Sequence, residues 1–219
     1  METSERDYIK WVIQLKLFLR VRTTGSKSKK KCISGTISYD LLKNGKKYAL
    51  QQAYKHATNS MKYSGPVSKA AKRGIDLEPV ARNLLRDKLS TLDSYPNDLK
   101  IDEVGFVVED AYDCVGCSPD GVIYDKDGKI SEICEIKCFG FKHHESCHEK
   151  IDEHIMMKIQ WNTWVTESKW CYFVQYNPDY LDERLTEDGK RHPEKVLYIT
   201  KIKPNLKYQE AFKKALENE

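Results

Sequence analysis

The sequence predicts a mixed α/β (α+β) fold, a central mixed sheet flanked by helices. Three observations carry this expectation. Apolar residues recur at helical spacing through roughly residues 66–89, 152–167 and 206–218. From about residue 103 the period shortens to two, and β-branched and aromatic runs are punctuated by Pro-Asp-Gly and Asp-Lys-Asp-Gly turns. The order is helices, a strand hairpin, a helix, strands and a closing helix, which suits one layered domain.

Along the chain, Tyr8, Trp11, Val12, Leu15 and Leu19 share one face of a helix over about 7–20. Arg22 to Lys31 is polar and basic and reads as a loop, and a short helix is expected over 48–60. Gly65-Pro66 opens the helix at 66–89, with Val67, Ala70, Ala71, Ile75, Leu77, Val80, Ala81, Leu84 and Leu85 as its expected buried members. Pro79 inside it should kink or divide it. Val104, Phe106 and Val108 alternate as in a strand. Val122-Ile123-Tyr124, the turn Asp125–Gly128 and the run Ile130–Lys137 form a hairpin. Strands follow at 170–176 and 195–202. Trp161, Trp164, Trp170, Tyr172 and Phe173 are expected in the core rather than on a base-stacking platform.

A length of 219 residues suits a single domain, 1–219. Within it, 1–65 are expected to form a basic helical and loop N-terminal part and 66–219 the core. The net charge of +4 hides an asymmetry: residues 1–73 carry 17 Lys/Arg against 4 Asp/Glu, the remainder 20 against 29. A basic first third beside an acidic remainder fits a polyanion-binding surface next to a cation-binding site. Seven scattered cysteines argue against a secreted disulfide framework and for a reducing compartment. The apolar stretch Trp11–Leu19 is broken by Gln14 and Lys16, too short and polar to span a membrane. The expectation is an intracellular protein with no membrane partner, in a bacterial cytoplasm or the nucleus of a eukaryotic host.

The chemistry lies in Ser118-Pro119-Asp120-Gly121 and, fifteen residues after Asp120, Glu135-Ile136-Lys137. Residues i and i+2 of a strand point to one face, so Glu135 and Lys137 project together. A tight hairpin brings Asp120 alongside. Mg²⁺ binds through one or two carboxylates plus water and phosphate oxygens. Such an ion offsets the repulsion between the carboxylates and stabilises charge on a phosphodiester under in-line attack. A neighbouring lysine can orient the water or neutralise the transition state. An ordinary hairpin with a solvated Glu/Lys face carries the same residues, so context decides.

The string Cys117-Ser118-Pro119-Asp120-Gly121 with Glu135-Ile136-Lys137-Cys138 resembles the phage lambda exonuclease / YqaJ viral recombinase family of PD-(D/E)xK nucleases. The upstream run Arg73-Gly74-Ile75-Asp76-Leu77-Glu78-Pro79-Val80-Ala81-Arg82 and the downstream run Ile159-Gln160-Trp161-Asn162-Thr163-Trp164-Val165-Thr166 extend it over about residues 70–180. The resemblance implies a restriction-endonuclease-like core and Mg²⁺ or Mn²⁺. Asp120 and Glu135 would be direct ligands, the backbone carbonyl of Ile136 would complete the shell, and Glu78 would hold a second metal or its waters. Lys137 would activate the attacking water, Asp110 would support the site, and Gln160 would position phosphate or water. It further implies 5′-to-3′ exonuclease activity on double-stranded DNA ends in viral or phage-type recombination. A homo-oligomer, a trimer in the type member, and a single-strand annealing protein are the implied partners. The family's 5′-phosphate arginine corresponds to Arg20 or Arg22, and Ser26, Lys27, Lys29 and Lys30 are candidate phosphate contacts. Where relatives carry Pro after Lys-Cys, this chain has Phe139.

Rival readings are an endonuclease of the same fold and a non-catalytic DNA-binding protein on a nuclease scaffold. Cys114, Cys117, Cys134 and Cys138 with His143, His144, Cys147 and His148 also raise a zinc site, although strand cysteines are commonly buried as small hydrophobes. An iron–sulfur nuclease needs a compact cysteine cluster after the core, and no cysteine follows Cys171.

Overall fold

The computed structural model describes residues 32–62, 68–109, 111–112, 115–140 and 151–217. The expected helix at 7–20, the basic loop to Lys31, Val67, Asp110, Cys114 and the His143–His148 group lie outside them.

Helix α1 spans Ser38–Lys62, longer than the expected 48–60, and is interrupted at Gly45, whose φ of 82° is a left-handed value that glycine adopts without steric cost. Helix α2 spans Lys69–Ser90 and begins at Ser68, whose hydroxyl accepts from the Ala71 N–H at 3.2 Å. Pro79 does not divide it. Two short strands follow, β1 (Val107–Val108) and β2 (Gly116–Cys117), paired with each other. Then come β3 (Gly121–Tyr124), β4 (Ile130–Cys138), helix α3 (Glu153–Val165), β5 (Trp170–Tyr176), β6 (Leu197–Ile202) and helix α4 (Leu206–Glu217).

The main sheet has the order β3-β4-β5-β6. The pairs β3/β4 and β5/β6 are antiparallel, whereas β4 and β5 run parallel, as a crossover through α3 requires. The β3–β4 turn closes where expected. The Asp125 carboxylate accepts from the Asp127 and Lys129 N–H groups at 3.0 Å each, and Gly128 takes a φ of 74°.

Alternation along β4 divides its side chains between two layers. Cys134 and Ile136 pack with Ala81, Leu85 and Leu89 of α2, and Ile133 packs with Ile159 of α3 and Phe173 of β5. A third cluster joins Ile33, Leu41, Ala49 and Ala53 to Trp161, Trp164 and Phe212, so the described part of the basic N-terminal segment shares the core of the rest. Of the aromatic set, Trp161, Trp164, Tyr172 and Phe173 are buried, as expected. Trp170 is half-buried beneath the Lys201 ammonium, 4.6 Å from its ring.

One part of the α2 pattern needs correction. Ala81 and Leu85 are buried and Leu77 and Leu84 half-buried, but Ala70, Ala71, Ile75 and Val80 are exposed. The helical period is real, yet α2 meets the sheet only from Leu77 onward. Its first two turns have no apolar layer beneath them.

Candidate active site

Hairpin geometry assembles the site. Gly121 pairs with Cys134, which sets Asp120 opposite Glu135 on the same face of the antiparallel pair. Two bonds fix Asp120: its N–H donates to the Cys134 carbonyl at 3.0 Å, and its Oδ2 accepts from the Ile136 N–H at 2.6 Å. Glycine is required next in sequence. A Cβ at Gly121 would stand 2.8 Å from both Cys134 Sγ and Ile101 Cγ2.

Glu135 is fully buried, at 0% exposure. Its Oε1 accepts from Lys137 Nζ at 2.9 Å and also from Lys158 Nζ. Its Oε2 is buried with no hydrogen-bond partner among the described residues. An ionised oxygen withdrawn from water and left unpaired costs several kcal/mol, in the range of about 1–3 for a neutral group and more for a charge. That orphan atom is where a hard cation fits, with Asp120 opposite Glu135 across the hairpin. Asp120 carries the electrostatic signature of the same place. Burial, then the Glu135 charge, and more weakly Glu78, push its carboxyl up to about 7, against the pull of Lys158 and the Ile136 N–H.

Glu78 stands one helix layer away and is tied into the site through Arg82. The Arg82 guanidinium donates to Glu78 Oε1 at 2.5 Å and to the Asp120 carbonyl at 2.7 Å, with Glu103 Oε2 at 3.5 Å. Arg82 thus clamps α2 onto the Asp120 turn. Arg73 does similar work where β4 and β5 end. It donates to the Phe139 carbonyl at 3.0 Å and to Asp179 at 2.8 Å.

Gln160 is placed differently from its expected role. It is 2% exposed, and its amide is consumed within the fold. Nε2 donates to the Lys203 carbonyl at 3.1 Å and Oε1 accepts from the Asn205 N–H at 2.7 Å. Two residues along a helix are about 200° apart, so the α3 side chain that reaches Glu135 is Lys158 and not Gln160. Gln160 anchors the loop between β6 and α4.

Two functional residues were missed in the sequence. Lys158 is the only charged residue in Ile155–Trp161, a mostly apolar stretch, and that isolation was the available signal. Burial works to lower its pKa, but the Glu135 and Asp120 charges outweigh it and hold the ammonium above its usual value. Arg82 was quoted in the motif without a role, although its i+4 spacing from Glu78 marks it as a pair.

Among the described residues, no three His, Cys, Asp or Glu side chains form a complete metal cage. The site therefore offers two carboxylates, which suits Mg²⁺ or Mn²⁺ with water or phosphate oxygens in the remaining positions. Of the group raised for zinc, Cys114, His143, His144, Cys147 and His148 lie outside the described residues. Cys117 and Cys134 are buried thiols whose pKa burial raises well above the ordinary value, and burial pushes Cys138 up to about 11. Asp110, Arg20, Arg22, Ser26, Lys27, Lys29 and Lys30 lie outside the described residues. No described helix is long and apolar enough to cross a membrane.

The family model of the YqaJ-like viral recombinase domain matches residues 18–169, well over half of the chain. The chain belongs to this family. Among solved structures it is similar to LHK-Exo in complex with dAMP, with a TM-score of 0.62 and 20% identity over 86% of each chain. It is similar, too, to the alkaline exonuclease LHK-Exo from Laribacter hongkongensis, at 0.60 and 19%, covering 86% of this chain and 88% of that one. A phage-related exonuclease from Haemophilus somnus 129PT follows at 0.50 and 14%, covering 84% and 90%. These likenesses establish the restriction-endonuclease-like fold. No curated protein sequence matches the chain.

Proposed function

We propose that this YqaJ-family chain is a metal-dependent deoxyribonuclease, a 5′-to-3′ exonuclease acting on linear double-stranded DNA ends in recombination or DNA processing. The observation that carries this reading is the buried, unpartnered Oε2 of Glu135 beside Asp120, with the Lys137 ammonium 2.9 Å from the other oxygen of the same carboxylate. Asp120, Glu135 and the carbonyl of Ile136 would hold Mg²⁺ or Mn²⁺. When bound, the ion supplies a Lewis acid that withdraws charge from the phosphodiester and acidifies water.

The chain's own groups do the rest. Lys137 is 35% exposed at its side chain, so its ammonium is held by Glu135 yet open to a water or phosphate oxygen outside. It orients the nucleophile and balances charge as the phosphate oxygens become more negative. Arg82 holds the Asp120 turn and Glu78 in register, which keeps the reacting geometry tight without touching the substrate. Contacts of Arg20 or Arg22 with a 5′ phosphate, and of Ser26, Lys27, Lys29 and Lys30 with the backbone, belong to the same proposal. So do a trimeric ring and an annealing-protein partner.

The test is digestion of end-labelled linear duplex and of covalently closed circles, with Mg²⁺ or with chelator, by wild type and Glu135→Ala. Metal-dependent shortening of the linear DNA, intact circles and an inactive variant are expected. Nicked circles would favour an endonuclease, and full activity of the variant would remove the site assignment.

A further inference from the structure

We propose that Lys158 is a built-in cation of the active site, occupying the place of a second divalent ion so that the chain binds one metal ion rather than two. This rests on the metal-dependent reading above and deepens it.

Three observations carry it. First, Lys158 is directed at the catalytic carboxylate: its Nζ donates to Glu135 Oε1, the oxygen that Lys137 also holds, and its side chain is 22% exposed. Two ammonium groups on one oxygen leave the other, Oε2, as the free donor. Secondly, the fold makes room for this lysine. Gly35 lies against its stem, and a Cβ there would stand 2.9 Å from Lys158 Cγ and 2.5 Å from Asn162 Oδ1. The β4–α3–β5 crossover then sets α3 over Glu135. Thirdly, the local charges of the described residues balance. Asp120, Glu135 and Glu78 face Lys137, Lys158 and Arg82, with Arg82 shared between Glu78 and the solvent-exposed Glu103. One divalent ion leaves a moderate excess for a phosphate to neutralise. A second, beside two fixed ammonium groups, would meet like-charge repulsion.

Lys158 is thus a positioning residue. It aims Glu135 and supplies permanent positive charge, and this comes at some expense of metal affinity. Removing its charge has opposite effects on binding and on turnover, a combination that loss of structure does not produce.

The experiment is calorimetric titration of Mn²⁺ into the chelator-stripped full chain, alongside end-labelled duplex digestion. Wild type, Lys158→Met, Lys158→Arg and Asp120→Ala are compared. Wild type should take up one Mn²⁺ per chain. Lys158→Met should bind it about tenfold tighter or more, because a like charge is gone. Its kcat should fall about 100-fold, the scale of losing one preorganised charge, with a much smaller change in KM. Lys158→Arg should keep both within about threefold. Two Mn²⁺ per wild-type chain, or unchanged affinity and kcat in Lys158→Met, would overturn the proposal, as would weaker binding together with lost turnover. Should wild type itself take up no Mn²⁺, matching Asp120→Ala, the metal reading fails first and this inference with it.

Discussion

The metal-free protein should be destabilised by its own active site as the pH rises, and Asp120 is the group responsible. Its carboxyl stands at about 7 in the fold against an ordinary 3.8, because burial and the Glu135 charge oppose ionisation. Between those values the folded chain keeps a proton that the unfolded chain has released. Stability therefore falls as pH rises through that window and levels off above about 7. At about 1.4 kcal/mol per unit the fall has a ceiling of about 4 kcal/mol, and Asp120's residual contact with solvent brings the expected size to about 2. Other carboxylates titrate as well, notably Asp182 and Asp188, which hydrogen bonds from Arg184 and His192 hold low. The comparison that isolates Asp120 is with Asp120→Asn, in which those groups are unchanged. Urea unfolding in chelator should give equal stabilities near pH 4, and near pH 8 a variant more stable than wild type by about 2 kcal/mol. Saturating Mn²⁺ near pH 8 should raise wild type and leave the variant alone. Parallel stability–pH curves for the two proteins would refute the argument, since Asp120 would then ionise as easily folded as unfolded.

Lys137→Met should lower kcat about 100- to 1000-fold with little loss of stability, because its ammonium is part-exposed and Glu135 keeps Lys158; single-turnover digestion and a melting curve check the two halves. Gln160→Leu should cost about 2 kcal/mol by freeing the Lys203 carbonyl and Asn205 N–H, while turnover per folded molecule stays near wild type. A stable but inactive Gln160→Leu would restore the phosphate-positioning role. Arg82→Leu should cost about 2–4 kcal/mol and also reduce turnover, since the Asp120 carbonyl and Glu78 lose their shared donor; denaturation and steady-state kinetics measure both.

How much of this was legible in the sequence depends on the range over which each signal acts. The β3–β4 hairpin was legible because its determinants are local: a Gly at the left-handed position, an Asp that bonds its own turn, and a period of two on either side. Asp120, Glu135 and Lys137 came with it, since the Gly121–Cys134 pairing sets Asp120 and Glu135 on one face. The exposed first turns of α2 were not legible. An apolar stripe states which face would be buried, not how far the surface beneath it extends, and Ile75 looks no different from Leu77 and Leu85 in the sequence. That Lys158 rather than Gln160 reaches Glu135 was not legible for a related reason. Helical rotation fixes that the two point apart, but which of them faces β4 depends on how α3 rolls onto the sheet.

That roll follows from apolar contacts rather than from the catalytic groups. Trp161 packs edge-on to Phe212 with ring centroids 5.1 Å apart, and its indole N–H donates to the Gly116 carbonyl at 3.0 Å. Ile159 packs against Ile133 and Phe173. With those neighbours satisfied, the face that remains toward Glu135 belongs to Lys158, and the amide of Gln160 is left to the Lys203–Asn205 loop. The end of α3 holds the same rotation: Glu167, at a φ of 52°, and Ser168 return their N–H groups to the Trp164 and Thr163 carbonyls, each at 3.1 Å. The charge environment of the Glu135 carboxylate is thus set by an aromatic core on the far side of one helix. Substitutions at Trp161 or Phe212 that rotate α3 should therefore alter metal affinity and turnover without touching any charged residue.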